Sequence, residues 1–281
     1  MFKLNCKTCK NKCSIECSES YMSYLKCKKQ KKRKILIWQI SLLIGFIGLW
    51  EVLARLGVLN TFLFSSPSAI WVLFKNYVAD GSLFRHIATS VWETILGFTI
   101  GTVLGVIIAI ILWWSETVAK IMSPTLVVLN ALPKTALAPI LIVWAGAGIG
   151  GIVLTAVTIS IVTTILSAYN YFINMDEEKI KMLQSFGATR WQILTKLILP
   201  ANVGNLVNII KINIGLSWVG VIVGEFIVSR NGLGYLIVYG GQVFRLDLVM
   251  MGVVVLAVCA FAMYAIVNVF EKWITKKRVS K

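Results

Sequence analysis

Residues 94–114 and 248–270 run for 21 and 23 positions without a single charged side chain. A helix crossing about 30 Å of hydrocarbon needs roughly 20 consecutive apolar residues, because its backbone groups find no water there and must bond within their own helix. Four further segments meet the same test: 35–53, with Glu51 near its end; 121–144, interrupted by Pro133, Lys134 and Pro139; 152–169; and 203–223, which carries Lys211. Between 135 and 175 lie 41 uncharged residues, too many for one crossing, and Gly146, Gly148, Gly150 and Gly151 give the chain a place to turn. Only 14% of the 281 residues are charged, against about a quarter in soluble proteins. The expected fold is all-α, a polytopic membrane protein with six transmembrane helices.

Basic loops stay on the cytoplasmic side of a membrane. Of the 28 Lys and Arg, 21 fall in 1–34, 115–120, 170–202 and 271–281, whereas the three opposite segments hold only Arg55, Lys75, Arg85, Arg230 and Arg245. Both termini are therefore expected in the cytoplasm and the chain in the cell membrane. Residues 1–34 hold eleven basic residues against two Glu, which sets a basic, Cys-rich cytoplasmic tail apart from a transmembrane domain over 35–281. No nucleic-acid partner is expected, since such a reading rests on the tail alone. A cleaved signal peptide would need a shorter apolar core and a small-x-small cleavage site, and the run beginning at Ile35 offers neither.

Gly97, Gly101 and Gly105 repeat every four residues, so one face of the second span is a groove that admits another helix closely. After Pro67, residues 69–77 place Ile70, Leu73, Phe74 and Tyr77 at helical spacing, which predicts a short structural helix on the outer interface.

The inside loop over 170–200 is far longer than a connection between spans requires. Asp176 caps a predicted helix whose first turn carries Glu177 and Glu178, with Ile180, Leu183 and Phe186 on one stripe. Gly187 breaks it. Thr189 and Gln192 have capping-box spacing for a second helix that presents Trp191, Leu194 and Leu197 or Ile198 on one side and is closed by Pro200. Such a pair offers a rigid surface for another protein to push against, or else lies on lipid.

The run Ser185-Phe186-Gly187-Ala188-Thr189-Arg190-Trp191-Gln192, followed by Leu199-Pro200, resembles the "EAA" loop of ABC-importer permeases. Gly224-Glu225-Phe226-Ile227, Gly232-Leu233-Gly234-Tyr235-Leu236-Ile237, Pro67-Ser68 and the stretch 133–144 resemble the nitrate, sulfonate and taurine permease branch. The family's Glu-Ala-Ala aligns here with Lys181-Met182-Leu183, so its usual acidic contact is absent. The resemblance implies the type I importer fold, a cytoplasmic ABC ATPase that uses the ATP, an external solute-binding protein, and a pair of identical permeases. It assigns ATPase coupling to Lys181, Met182, Leu183, Phe186, Gly187, Ala188, Thr189, Leu199 and Pro200. No Gly-Lys dipeptide occurs in the chain, hence no phosphate-cradling Walker A loop. The chain is not expected to be an enzyme, and no cofactor is expected in the transmembrane domain. Small anions such as sulfonates, taurine or nitrate are the first expectation for the solute, with vitamin precursors behind.

Lys134 and Lys211 are costly inside a membrane, so each is either a pathway residue that attracts an anion or a snorkelling side chain. Glu93 and Glu225 sit near span ends, within reach of interfacial water, and Glu225 and Ser217 are also pathway candidates. Asn130, Asn208, Asn213 and Ser217 fit best as interhelical glue. His86, the sole histidine, falls in an outer loop as a solvated residue. In the tail, Cys6, Cys9, Cys13 and Cys17 form a C-x2-C-x3-C-x3-C array that would hold zinc or an iron-sulfur cluster, against a plain basic tail attracted to anionic lipid. An ion-coupled secondary transporter is the competing function, but such carriers place ionisable groups near the bilayer midplane, and the acidic residues here lie at ends and in loops.

Overall fold

A computed structural model describes residues 19–279. The cysteines at positions 6, 9, 13 and 17 lie outside the described residues. The chain divides into two units, 1–59 and 60–281. In the first, α1 (Glu19–Arg55) begins well before the apolar run and carries it over Lys28–Arg55, long enough to span. Glu51 and Arg55, one turn apart, pair at 2.7 Å.

The second unit opens with α2 (Thr61–Phe64) and α3 (Pro67–Ala79). Ser66 caps α3 by accepting from the Ala69 amide, and Pro67 stands in the first turn, where its missing N–H costs nothing. Ile70 and Leu73 are its buried side chains. There follow α4 (Ser82–Trp114), α5 (Glu116–Ala131), a 3₁₀ turn (Lys134–Leu137), α6 (Ala138–Ala145) and α7 (Ile149–Ile173).

The glycine groove is where the bundle is tightest. A Cβ at Gly97 would stand 2.6 Å from the Ala156 Cβ, one at Gly105 2.6 Å from the Thr164 Cβ, and one at Gly101 would collide with the Ser160 Oγ. Both numbers of each pair rise together, so α4 and α7 run parallel. A chain that leaves α4 at one face of the membrane and enters a parallel α7 must return to the other face in between. The connection is therefore itself a crossing, and it is bent by 86°. The single interrupted helix expected over 121–144 is two helices. Leu132, ahead of Pro133, is extended (ψ 139°), since a residue before proline is driven out of the helical region. With α1, α4, α7, the bent pair and two later helices, the described residues hold six candidate spans.

Those later helices are α11 and α13. Between α7 and them lie α8 (Glu177–Ser185), α9 (Arg190–Ile193), a π turn (Leu194–Ile198) and α10 (Leu199–Ala201), then α11 (Val203–Val228), α12 (Leu233–Gln242) and α13 (Leu246–Val279). α11 is antiparallel to α7: a Cβ on Gly220 would meet the Ala156 Cα at 2.5 Å, and one on Gly224 the Ile152 Cα at 3.0 Å. Asn213 ties three helices, its amide donating to Thr102 Oγ1 and Thr164 Oγ1, both at 2.7 Å. That is the glue role.

Pro200 does not close the second loop helix. The backbone stays helical from Arg190 through Ala201, with the wide π turn directly before the proline. Loosening the spiral there gives room to a ring that would otherwise press on the preceding turn.

Candidate functional site

The site begins with α8, which the sequence caps at both ends. Asp176 accepts from the Glu178 amide at 3.1 Å and from Lys179 at 3.2 Å. The Lys179 ammonium first, and the Glu178 amide with it, hold the Asp176 carboxyl below the usual range. At the other end Gly187 takes φ +75°, a conformation that a Cβ penalises. Its amide bonds the Gln184 carbonyl at 2.9 Å, and the Ala188 amide bonds the Leu183 carbonyl at 3.0 Å. This pair of bonds satisfies carbonyls that the helix end leaves open. Two residues on, the Gln192 amide bonds Thr189 Oγ1 at 3.3 Å and the Thr189 amide bonds Gln192 Oε1 at 2.8 Å, the reciprocal box its spacing predicts.

The two helices are fixed to the bundle. Ile180, Leu183, Ala188, Leu197 and Leu199 pack on a core of Ala109, Ala168, Phe172, Ile193, Leu194, Ile198 and Ile209. Arg190 reaches across to donate to the Trp114 carbonyl at 3.1 Å, covering the end of α4, and the Trp191 ring lies 6.4 Å from that of Trp114. Phe186 leaves the predicted stripe: Ile180 and Leu183 face the core, while Phe186 is 80% and Met182 55% exposed. Lys181 pairs with Glu177 at 2.9 Å on the exposed side. α8 thus has one face built into the membrane domain and an opposite face with an uncovered aromatic ring.

At the far end of the same bundle the polar residues are enclosed. Glu225, 1% exposed, accepts from Ser90 Oγ at 2.5 Å and from the Gly234 amide at 2.5 Å. Ser90 Oγ in turn accepts from the Leu233 amide at 2.8 Å, and His86 Nδ1 accepts from the Gly232 amide at 3.0 Å. Glu93, also 1% exposed, is enclosed beside Glu225, and its Oε2 has no hydrogen-bond partner among the described residues. Glu93 and Glu225 therefore do not reach interfacial water, and His86 is no loop residue: it lies in α4 with its ring stacked on Tyr235. The sequence signal for this knot is only the doublet of glycines at 232 and 234. A Cβ at either would collide with or crowd the Glu225 side chain.

The other span residues separate cleanly. Lys211 lies 2.5 Å from Glu271 Oε2 and 3.2 Å from Asn268 Oδ1, with its ammonium over the Tyr264 ring. Ser217 is buried between helices with no hydrogen-bond partner among the described residues. Lys134 sits in the break between α5 and α6, bonded to Asn130 Oδ1 at 3.1 Å.

A bundle of apolar crossings of this kind defines a multi-pass membrane protein. The family model for binding-protein-dependent transport system inner membrane components matches residues 101–279, and the chain belongs to that family. It is the membrane-spanning permease subunit of an ATP-driven importer, resident in the plasma membrane, and in such systems ATP is hydrolysed on a separate subunit. The chain is similar to the putative aliphatic sulfonates transport permease protein SsuC of Bacillus subtilis, 28% identical over 90% of this chain and 92% of that one. It is similar also to the taurine transport system permease protein TauC of Escherichia coli, 25% identical over 84% of this chain and 90% of that one. Among solved structures, the inward-facing MetNI methionine ABC transporter shares the fold, with a TM-score of 0.56 at 18% identity over 66% of this chain and 95% of that chain.

Proposed function

We propose that the outer face of α8, with Phe186 and Met182, is the surface on which the ATPase acts, and that Gly187 and Thr189 set the angle at which it does so. The observation that carries this reading is the division of α8 itself. Ile180 and Leu183 belong to the bundle core, whereas Phe186 exposes most of a ring that solvent does not favour. A push on the exposed face passes through those two side chains into α4, α7 and α11 as a rigid-body motion. The residue that departs from the family pattern, Lys181, brings its own carboxylate neighbour, Glu177.

The transmembrane domain over 35–281 forms half of a pathway that a second identical copy completes, and the solute is a small oxyanion of the sulfonate, taurine or nitrate kind, delivered by an external binding protein. The names of the relatives support that class. The basic segment 1–34, whose residues 19–34 belong to α1, carries Cys6, Cys9, Cys13 and Cys17 as zinc or iron-sulfur ligands.

The test is a cysteine at position 186 together with single cysteines lining the ATPase groove, in the complex reconstituted into vesicles with the binding protein. Cross-links that form in one nucleotide state, with uptake that stops when ATP is withheld, are the expected result. Uptake sustained by an ion gradient alone overturns the reading.

A further inference from the structure

Two lysines lie inside crossings, and the chain treats them differently. Lys211 is given a carboxylate, an amide and an aromatic face within its own bundle. Among the described residues, Lys134 is given only the side-chain oxygen of Asn130. Thirteen uncharged residues precede it and 41 follow, so its surroundings along the chain are apolar in both directions. It stands where Pro133 and the 3₁₀ turn interrupt the crossing, flanked by Asn130, Pro133 and Thr135, all exposed on the face that this subunit leaves uncovered.

An ammonium ion on such a face needs water or an opposite charge. Among the described crossings, a second copy of the chain offers no exposed carboxylate that is not already paired. Of the nine carboxylates between residues 60 and 279, Glu93 and Glu225 are enclosed and Glu271 is held by Lys211. The other six stand in turns or at helix starts, at the ends of crossings. Glu51 in α1 holds Arg55. The ammonium is thus left to water and to whatever anion enters beside it.

We infer that Lys134, with Asn130 beside it, is the residue that receives the anionic head of the solute inside the pathway, and that it selects compact oxyanions over neutral solutes of the same size. This rests on the importer reading and adds to it the residue that discriminates charge. The break supplies the opening: residues 132–137 leave the α-helix, and the side chain is set on a turn instead of the wall of a regular helix. Asn130, one turn earlier, provides an amide that donates to the same oxyanion once its carbonyl side releases the ammonium.

The experiment has two arms on the permease–ATPase complex in vesicles. In the first, a water-soluble amine-acylating reagent is applied in each nucleotide state, with and without millimolar ethanesulfonate, and modification of Lys134 is read by mass spectrometry. Labelling in at least one state, reduced severalfold by ethanesulfonate but unchanged by an equal concentration of ethanol, is the expected result. A Lys134 that never reacts, or that reacts equally with and without the sulfonate, overturns the proposal. In the second arm, K134M lowers ethanesulfonate uptake tenfold or more, K134R recovers to within about threefold of the parent, and co-purification with the ATPase shows that both variants assemble. Unchanged uptake by K134M overturns the proposal. Failure of the importer reading itself would appear as uptake by the unaltered complex that does not depend on ATP, which the labelling arm does not use.

Discussion

At one end of the bundle Glu225 is enclosed and fully engaged, bonded by Ser90 and the Gly234 amide and packed against Gly232. At the other end, the charged residues of α8 pair only along their own exposed surface, Lys179 with Asp176 and Lys181 with Glu177, and Phe186 is uncovered. The same helices connect the two. The outer knot pairs Glu225, Ser90 and His86 internally, with Glu93 Oε2 left without a hydrogen-bond partner among the described residues, and it holds the loop after α11 to α4. The cytoplasmic end buries only the apolar half of its helix pair and leaves the rest available. The difference separates what holds the bundle from what is left open to a partner: buried polar groups that are paired rigidify a structure, whereas exposed pairs contribute little to stability.

Four substitutions break or sharpen that comparison. E225A strands the Ser90 hydroxyl and the Gly234 amide in an enclosed site, a loss of about 3 kcal/mol. Thermal unfolding of the detergent-solubilised permease should show the largest drop of the four, with E225Q intermediate. G220A brings a methyl group against the α7 backbone and costs about 2 kcal/mol, read in the same melt. G187A places a Cβ in the left-handed region for about 1 kcal/mol; uptake should fall further than stability, because the angle of α8 changes while the core beneath it stays. F186A changes stability by less than about 0.5 kcal/mol yet lowers ATP-driven uptake at least tenfold, as measured in vesicles. If F186A unfolds the protein as E225A does, the two ends are not different in kind.

The crossings were legible because an uncharged run longer than about 20 residues has few other fates. The caps of α8 and the box at Thr189 were legible because each is a local device, with its partners two or three residues apart. Gly97, Gly101 and Gly105 announced a close approach, but Gly220 and Gly224, at the same spacing, did not stand out within a span that already carried Lys211. The outer knot was invisible for a different reason: Ser90 and Glu225 are 135 positions apart, and taken singly each looks like a polar residue near a helix end. Phe186 was assigned to the stripe of Ile180 and Leu183 by spacing, but it falls at the end of α8, beside the left-handed glycine, where the regular period no longer holds. The π turn before Pro200 has no sequence pattern of its own.

The interlock of α4 with α7 has a mechanical corollary. With side chains of one helix seated at three bare positions of the other, sliding is blocked and the two can only travel as a single plank. Whatever swing exposes the channel first to one compartment and then to the other has to be absorbed where the spiral is interrupted, and the one-residue joint of Asn202 is such a place, so stiffening it should arrest the cycle with every binding surface intact.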